Sequence, residues 1–362
     1  MLTERTRERF EIFAKFVRRK SAAGRWLVLT HDNPDPDSIA AAAGLAKLLR
    51  RAFRRQATIA YGGIIGRAEN QEMVKVLGAR LSHVRHLNWS HYKHFALVDA
   101  QPSTGNNQLN DLLPDIVFDH HPIRRLTRKV AFTDIRTDYG ATATIVAEYL
   151  AAAGWDLTKK EATAFLYAVR SETQDFAREF SLPDKALFDE LLPQADLKAL
   201  ARIMQPRLPL SYFRNLHEAL ENLQAVGSLV VSQLGELDQP DIVPEIADLM
   251  LRLEGKTWSM CSGIHGGRIY VSIRTTNSRA DAGNLMRRLL GRRGKGGGHG
   301  MMAGGWIDYQ GTRGSDPRAL QQYLAQRLAS ILKRKANKLL PLLMSPPSTI
   351  SDDSGTAEGG GA

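Results

Sequence analysis

The sequence predicts an α/β protein: a doubly wound parallel sheet in the N-terminal half, a helical connector, and a smaller α+β domain. Three observations point there. Strand-like apolar runs alternate with helix-like segments through the first half of the chain, the pattern of βαβ units. Several of those runs end on carboxylate or imidazole groups, and ligands bind at that edge of an open parallel sheet. At 362 residues the chain is also too long for one ordinary core.

The first twenty residues are highly charged and lack the apolar block of a secretory signal, so they read as an amphipathic helix covering the sheet edge. A strand over 26–30 is followed by a helix over 38–50, a strand over 57–61 and a short helix over 69–78. Strands over 95–98 and 115–118 come next, then helices over 141–153 and 159–169. The apolar run 164–169 is too short to separate helix from strand by pattern alone. These elements make a first domain over 1–181. Residues 182–226 are Leu-rich and interrupted by Pro183, Pro193, Pro206 and Pro209, and they read as a helical connector. A second domain over 227–340 follows, with strands over 228–233, 257–262 and 268–273, a helix over 281–290, a strand over 306–308 and a helix over 317–335. The tail 341–362 has little to bury and is expected to be disordered.

Composition narrows the function. A net charge of +11 favours a polyanionic partner. No stretch reaches the ~18 uninterrupted apolar residues of a membrane span. Cys261 is the only cysteine, which excludes a disulfide framework and a thiolate metal site and suits a reducing cytoplasm.

The candidate chemistry lies at the ends of four apolar segments. His31, Asp35 and Asp37 follow Trp26–Thr30, Asp99 follows Val98, Asp119-His120-His121 follows Phe118, and Glu172 follows the run ending at Val169. Taken alone, Asp37 reads equally as a helix N-terminal acid and Asp99 as an ordinary strand-terminal aspartate. Two adjacent histidines after an apolar strand rarely serve packing. Mixed imidazole and carboxylate donors suit divalent ions such as Mn²⁺, and this many carboxylates suit a pair of ions. In the C-terminal half, Gly296-Gly297-Gly298-His299 can bring backbone N–H groups close to a phosphate or base, and Arg274 can grip a phosphate bidentately.

Together these motifs resemble the DHH phosphoesterase superfamily, in the branch with a C-terminal DHHA1 domain. The resemblance implies that His31, Asp35 and Asp99 hold one Mn²⁺, and that Asp37, Asp99, His120 and the acid of the fourth motif hold a second. Asp99 would bridge the two, and a metal-activated hydroxide would attack phosphorus. It further implies that His121 contacts the phosphoryl group or assists the leaving oxygen, and that Asp119 orients an imidazole. The fourth motif carries Glu172 where the family usually has aspartate, with Asp175 as a rival ligand. Arg274, Gly297, Gly298, His299 and Asn277 would bind substrate. The two-domain length is similar to that of the nano-RNase/pAp phosphatase group, which implies short RNA or DNA oligonucleotides or pAp as substrates and is compatible with a homodimer. Cyclic or linear dinucleotides (pApA, pGpG) remain an alternative, as does a nucleotide-binding protein with weakened catalysis.

Overall fold

The computed structural model describes residues 2–110, 112–309, 316–334 and 338–343. Of the tail read as disordered, residues 344–362 lie outside this set. The chain divides into two compact units, Met1–Arg207 and Leu208–Ala362. Among the described residues no helix is long and apolar enough to cross a membrane.

The first unit contains strands β1 (Arg25–Leu29), β2 (Ala57–Tyr61), β3 (Leu81–His83), β4 (Tyr92–Val98), β5 (Ile116–Asp119) and β6 (Phe132–Ile135). Its helices are α1 (Glu4–Arg19), α2 (Pro36–Ala52), α3 (Ala68–Leu77), α4 (Thr142–Ala152), α5 (Lys159–Glu172), α6 (Leu182–Leu191) and α7 (Leu197–Met204). All pairings are parallel, in the order β3-β2-β1-β4-β5-β6. The order reverses between β1 and β4, which opens a crevice at their C-terminal ends. Trp26 through Leu29 are fully buried, as expected for a strand covered on both faces. Helices pack on one face, around Phe13, Ile39, Leu45, Phe118, Tyr149 and Phe165. The other face is covered by connecting loops and 3-10 turns that contribute Val84, Leu109 and Val130. The crossovers from β4 to β5 and from β5 to β6 therefore run as loops, which leaves the polar strand ends open to a long segment, 99–115.

Between β6 and α4 the chain is held from inside the protein. The fully buried Arg136 donates to both oxygens of Asp134 (3.0 and 2.7 Å), to Glu148 (2.8 Å), to the Tyr139 hydroxyl (2.9 Å) and to Thr6 Oγ1 (2.7 Å). Asp184 on α6 accepts the Gly140 N–H (2.7 Å) and the Thr144 hydroxyl (2.5 Å) while it closes a capping box with Ser181. The connector is thus split: α6 and α7 pack on the first unit's core, through Leu187, Leu191, Leu200 and Ile203, and the division falls at 207/208.

The second unit contains helices α8 (Leu210–Glu221), α9 (Ile242–Leu251), α10 (Ala282–Leu290) and α11 (Pro317–Ile331). Its strands are β7 (Gln224–Val226), β8 (Leu229–Glu236), β9 (Trp258–His265), β10 (Arg268–Thr275), β11 (Gly294–His299), β12 (Met302–Asp308) and β13 (Leu340–Pro341). They form one mixed sheet in the order β11-β12-β10-β9-β8-β7-β13, with β8 and β9 parallel. Helices α10 and α11 cover one face and α8 and α9 the other.

The glycine run read as a backbone cradle is an edge strand, β11, paired antiparallel with β12 from Gly294↔Ile307 to His299↔Met302. Its glycines answer first to packing. A Cβ on Gly296 would lie 2.7 Å from Met286 Cγ, and one on Gly283 would lie 2.1 Å from the Gly298 carbonyl oxygen, so α10 sits directly on the strand. A Cβ on Gly297 would meet nothing within 4 Å, which leaves that position open. Gly283→Ala is accordingly expected to destabilise the second unit by about 1–3 kcal/mol, the usual cost of overpacking, whereas Gly297→Ala should cost far less. Denaturant melts of the two variants check this difference.

Candidate metal centre

β1 and β4 deliver the first groups. After β1 the chain turns so that Asp35 N-caps α2, accepting the Ser38 N–H at 2.9 Å. The other oxygen of that carboxylate, Oδ2, lies 3.5 Å from His31 Nε2. The same Nε2 lies 3.5 Å from Asp99 Oδ2 at the end of β4. His31 Nδ1 lies 2.8 Å from the Asp32 carbonyl, which can only accept, so Nδ1 carries the proton and Nε2 turns its lone pair toward the two acids.

The β5 end repeats this arrangement. His120 Nδ1 faces the Tyr139 carbonyl at 3.2 Å, which leaves Nε2 as the free lone pair, 3.6 Å from Asp99 Oδ1. That nitrogen is buried and has no hydrogen-bond partner. His121 is held differently: both its backbone N–H (3.1 Å) and its Nδ1 (2.9 Å) reach Asp119 Oδ1. Asp119 is fixed in turn by Gln101, whose Nε2 donates to Oδ2 at 2.7 Å and whose Oε1 accepts from the Arg124 N–H and the Thr127 hydroxyl, both at 2.7 Å.

Asp99 is central. It is buried, takes a hydrogen bond from Thr142 Oγ1 (3.1 Å), and adopts a left-handed backbone with φ of 52°. Such strain in a non-glycine residue costs of order 1–3 kcal/mol and persists where the surroundings fix it. Two donor groups meet on it, each with one ligand atom per residue within 4.8 Å of the others: His31-Asp35-Asp99 and Asp99-His120-His121.

The first group contains the residues expected for one ion. The second departs from the expected set, with His121 standing where Asp37 and Glu172 were anticipated. Asp37 is fully buried and spends both oxygens on the start of α4, accepting the Thr142 and Ala143 N–H groups at 2.7 Å each. A helix N-terminus is a favourable seat for an anion. Glu172 closes α5, a helix where the sequence left helix and strand open, and its carboxyl lies within electrostatic reach of Asp35, Asp99, His120 and His121. Asp175 is 63% exposed and paired with Arg170 at 2.6 Å.

The charges report a crowded acidic site. Burial pushes the Glu172 carboxyl up to about 7, and Asp35 and Asp99 push the same way against the pull of His120. Burial, then Asp99, Glu172 and Asp35, also hold Asp37 well above the ordinary carboxylate range. Burial opposes charging of His31, yet Asp35 and Asp99 keep its imidazole well above its usual value. His120 is raised by Asp99 and Glu172, again against burial. Imidazole Nε2 atoms drawn toward shared carboxylates, in a site that favours positive charge strongly enough to raise both imidazoles, mark a place where a divalent ion can take over from the protons. The donor set and the unpartnered His120 Nε2 therefore fit divalent ions.

In the second unit the expected substrate groups are already engaged. Arg274 is largely buried, with Nε 2.7 Å from Asp248 and Nη1 bonded to Ser272 Oγ (2.7 Å) and to the Ile273 and Ala303 carbonyls. Its guanidinium thus ties β10 to α9 and β12, a structural task that a phosphate would have to share. Asn277 is exposed, and its side chain accepts the Arg279 N–H at 3.0 Å, closing the turn after β10. His299 ends β11, and its side chain lies outside the described residues. Gln101 and Thr142 are the site residues that sequence reasoning missed. Neither residue type signals metal or phosphate chemistry, and only the long loop after β4 and the start of α4 hinted at their positions.

Comparison with known proteins agrees with this architecture. Residues 25–169 match the DHH family, N-terminal domain, and residues 227–334 match the DHHA1 domain. An uncharacterised protein of Methanocaldococcus jannaschii is 36% identical over 276 residues, covering 75% of this chain and 56% of that protein. An A-adding tRNA nucleotidyltransferase of Geobacter sulfurreducens is 23% identical over 339 residues, covering 90% of this chain and 35% of that protein. The chain therefore spans just over half the length of the first relative and about a third of the second. An exopolyphosphatase-related protein from Bacteroides fragilis shares the fold, with a TM-score of 0.70 at 15% identity, covering 90% of this chain and 96% of that one. The chain thus carries the N-terminal domain of the DHH family in its first unit and a DHHA1 domain in its second.

Proposed function

We propose that the chain hydrolyses phosphoester bonds in very short nucleic acids or nucleotides, with short oligoribonucleotides and pAp as the leading substrates and Mn²⁺ as the leading metal. The observation that carries this reading is the convergence of the His31 and His120 Nε2 atoms on Asp99. Divalent ions held there would neutralise charge on a phosphoryl group and lower the pKa of water beside it. His31, Asp35 and Asp99 form one binding group. Asp99, His120 and Glu172 supply the other, together with Asp37 in the first turn of α2. Asp119, braced by Gln101, keeps the His121 ring oriented through Nδ1, and His121 is the residue proposed to contact the phosphoryl group or to donate a proton to the leaving oxygen. In the second unit, the open strand position at Gly297 and the Arg274 guanidinium are the groups proposed to hold the remainder of the substrate. A net charge of +11 favours a polyanion, and the similarity to a tRNA nucleotidyltransferase is in keeping with an RNA end as ligand.

Product analysis of the purified protein with Mn²⁺ tests the proposal, offering a dinucleotide RNA, a long RNA, pAp, linear pApA, cyclic di-AMP and pyrophosphate. Cleavage of the dinucleotide or pAp, lost on adding EDTA and regained with excess Mn²⁺, is expected. Turnover of none of them, or of pyrophosphate alone, refutes it. Preference for cyclic di-AMP would move the reading to cyclic dinucleotides.

A further inference from the structure

At the opposite end of the first unit's sheet, a cavity of about 520 Å³ is lined by Arg25, Arg50, Arg54 and Arg55, together with Gln56 and Thr58. Arg25 opens β1 and Thr58 lies near the start of β2, so the cavity sits at the N-terminal strand edge. The candidate metal centre lies past the other edge, a strand length of roughly 15 Å away at ~3.3 Å per residue. Among the described residues, no carboxylate is paired with any of these four guanidinium groups. Asp115, the acid that shares this corner with Arg55 around His94, is taken by Lys20 at 2.5 Å.

Two of the arginines are fixed by backbone carbonyls, which orient them without cancelling their charge. Arg55 Nη2 donates to the carbonyls of Val17 (3.3 Å), Arg18 (3.3 Å) and Lys20 (3.0 Å) at the end of α1. Arg55 Nε is buried and has no hydrogen-bond partner. Arg50 donates through Nε to the Ala57 carbonyl at 3.0 Å. Arg25 and Arg54 are exposed at the rim, and Arg54 is held in a left-handed backbone with φ of 53°. Four like charges around one concavity repel one another unless an anion sits among them, and a buried donor without an acceptor is costly.

We propose that this cavity binds a di- or triphosphate group, either free or as the phosphate tail of a nucleotide, at a site separate from the metal centre. The volume lies within the range of small-ligand pockets. Four guanidinium groups match the charge of a short phosphate chain better than that of a single phosphate, and the exposed Arg25 and Arg54 can bind one bidentately. The lining holds no aromatic ring to stack a base, so the phosphates are the recognised part.

Isothermal titration of the full chain in EDTA, which removes divalent ions from the other site, tests this with pyrophosphate, triphosphate, ADP and ATP as probes. Arg25→Ser combined with Arg54→Asn removes the two rim charges, and asparagine tolerates the left-handed backbone. At least a tenfold loss of affinity is expected for whichever probes bind. Arg51→Ser, which removes an exposed charge next to Arg50 but outside the cavity lining, should leave affinity within about twofold, because Arg51 offers the cavity no donor. Saturation by pyrophosphate or triphosphate indicates free phosphate chains, and saturation by ADP or ATP alone indicates nucleotide tails. Absence of binding by all four probes overturns the proposal, as does an unchanged affinity in the double variant or an equal loss in Arg51→Ser. A long single-stranded RNA is titrated beside them, and binding by it alone would also overturn the proposal, in favour of a nucleic-acid surface.

Discussion

Replacing Asp99 by asparagine is expected to lower turnover by roughly 10³-fold or more while the protein stays folded. The two donor groups share this one carboxylate, so a neutral amide weakens both at once. The fold should tolerate the change. Asparagine accepts a left-handed backbone nearly as readily as aspartate, and its carbonyl can still take the Thr142 hydroxyl. Steady-state rates with saturating Mn²⁺, read beside circular dichroism, give the result. Near-normal turnover in a folded Asp99→Asn protein would remove the shared-ligand assignment on which the proposed function rests.

Arg136→Met is expected to destabilise the first unit by about 3–5 kcal/mol, although Arg136 touches no candidate ligand. Removing the guanidinium leaves Asp134 and Glu148 as buried carboxylates with their cation gone. Breaking one partner of such a pair costs more than the pair is worth intact, because the remaining charge stays desolvated. Equilibrium unfolding of the full chain, following the first unit, measures the loss. A change below about 1 kcal/mol, the scale of an exposed pair, would show that water reaches the network and satisfies the acids.

The strand ends that carry the candidate ligands were legible because their signals are local. An apolar run such as Trp26–Leu29 ends on polar residues at the strand's C-terminus, and the parallel fold gathers those ends at one edge. Short-range pattern also placed α2, β2 and α5 to within a few residues. Elements β3 and β6, three and four residues long, were not read, since runs that short carry little periodicity. The glycine run misleads for a different reason. Glycine disfavours strands intrinsically, and what makes β11 a strand is the close approach of α10, a tertiary fact absent from local composition. Asp37 shows the same limit at the site itself. Its sequence position suggested a ligand but not that each of its oxygens also accepts an N–H from the start of α4, more than a hundred residues away in the chain. Gln101 was silent because a glutamine that braces an acid looks like any other polar loop residue.

Asp184 gives the boundary between the units a practical meaning. This side chain on α6 grips Gly140 and Thr144, on either side of the N–H groups that seat Asp37. A dissection of the chain at the end of the last ligand motif would discard that grip along with the apolar cover of α6 and α7. The smallest catalytic fragment worth expressing therefore runs through Met204, some thirty residues past the point where the recognisable motifs stop.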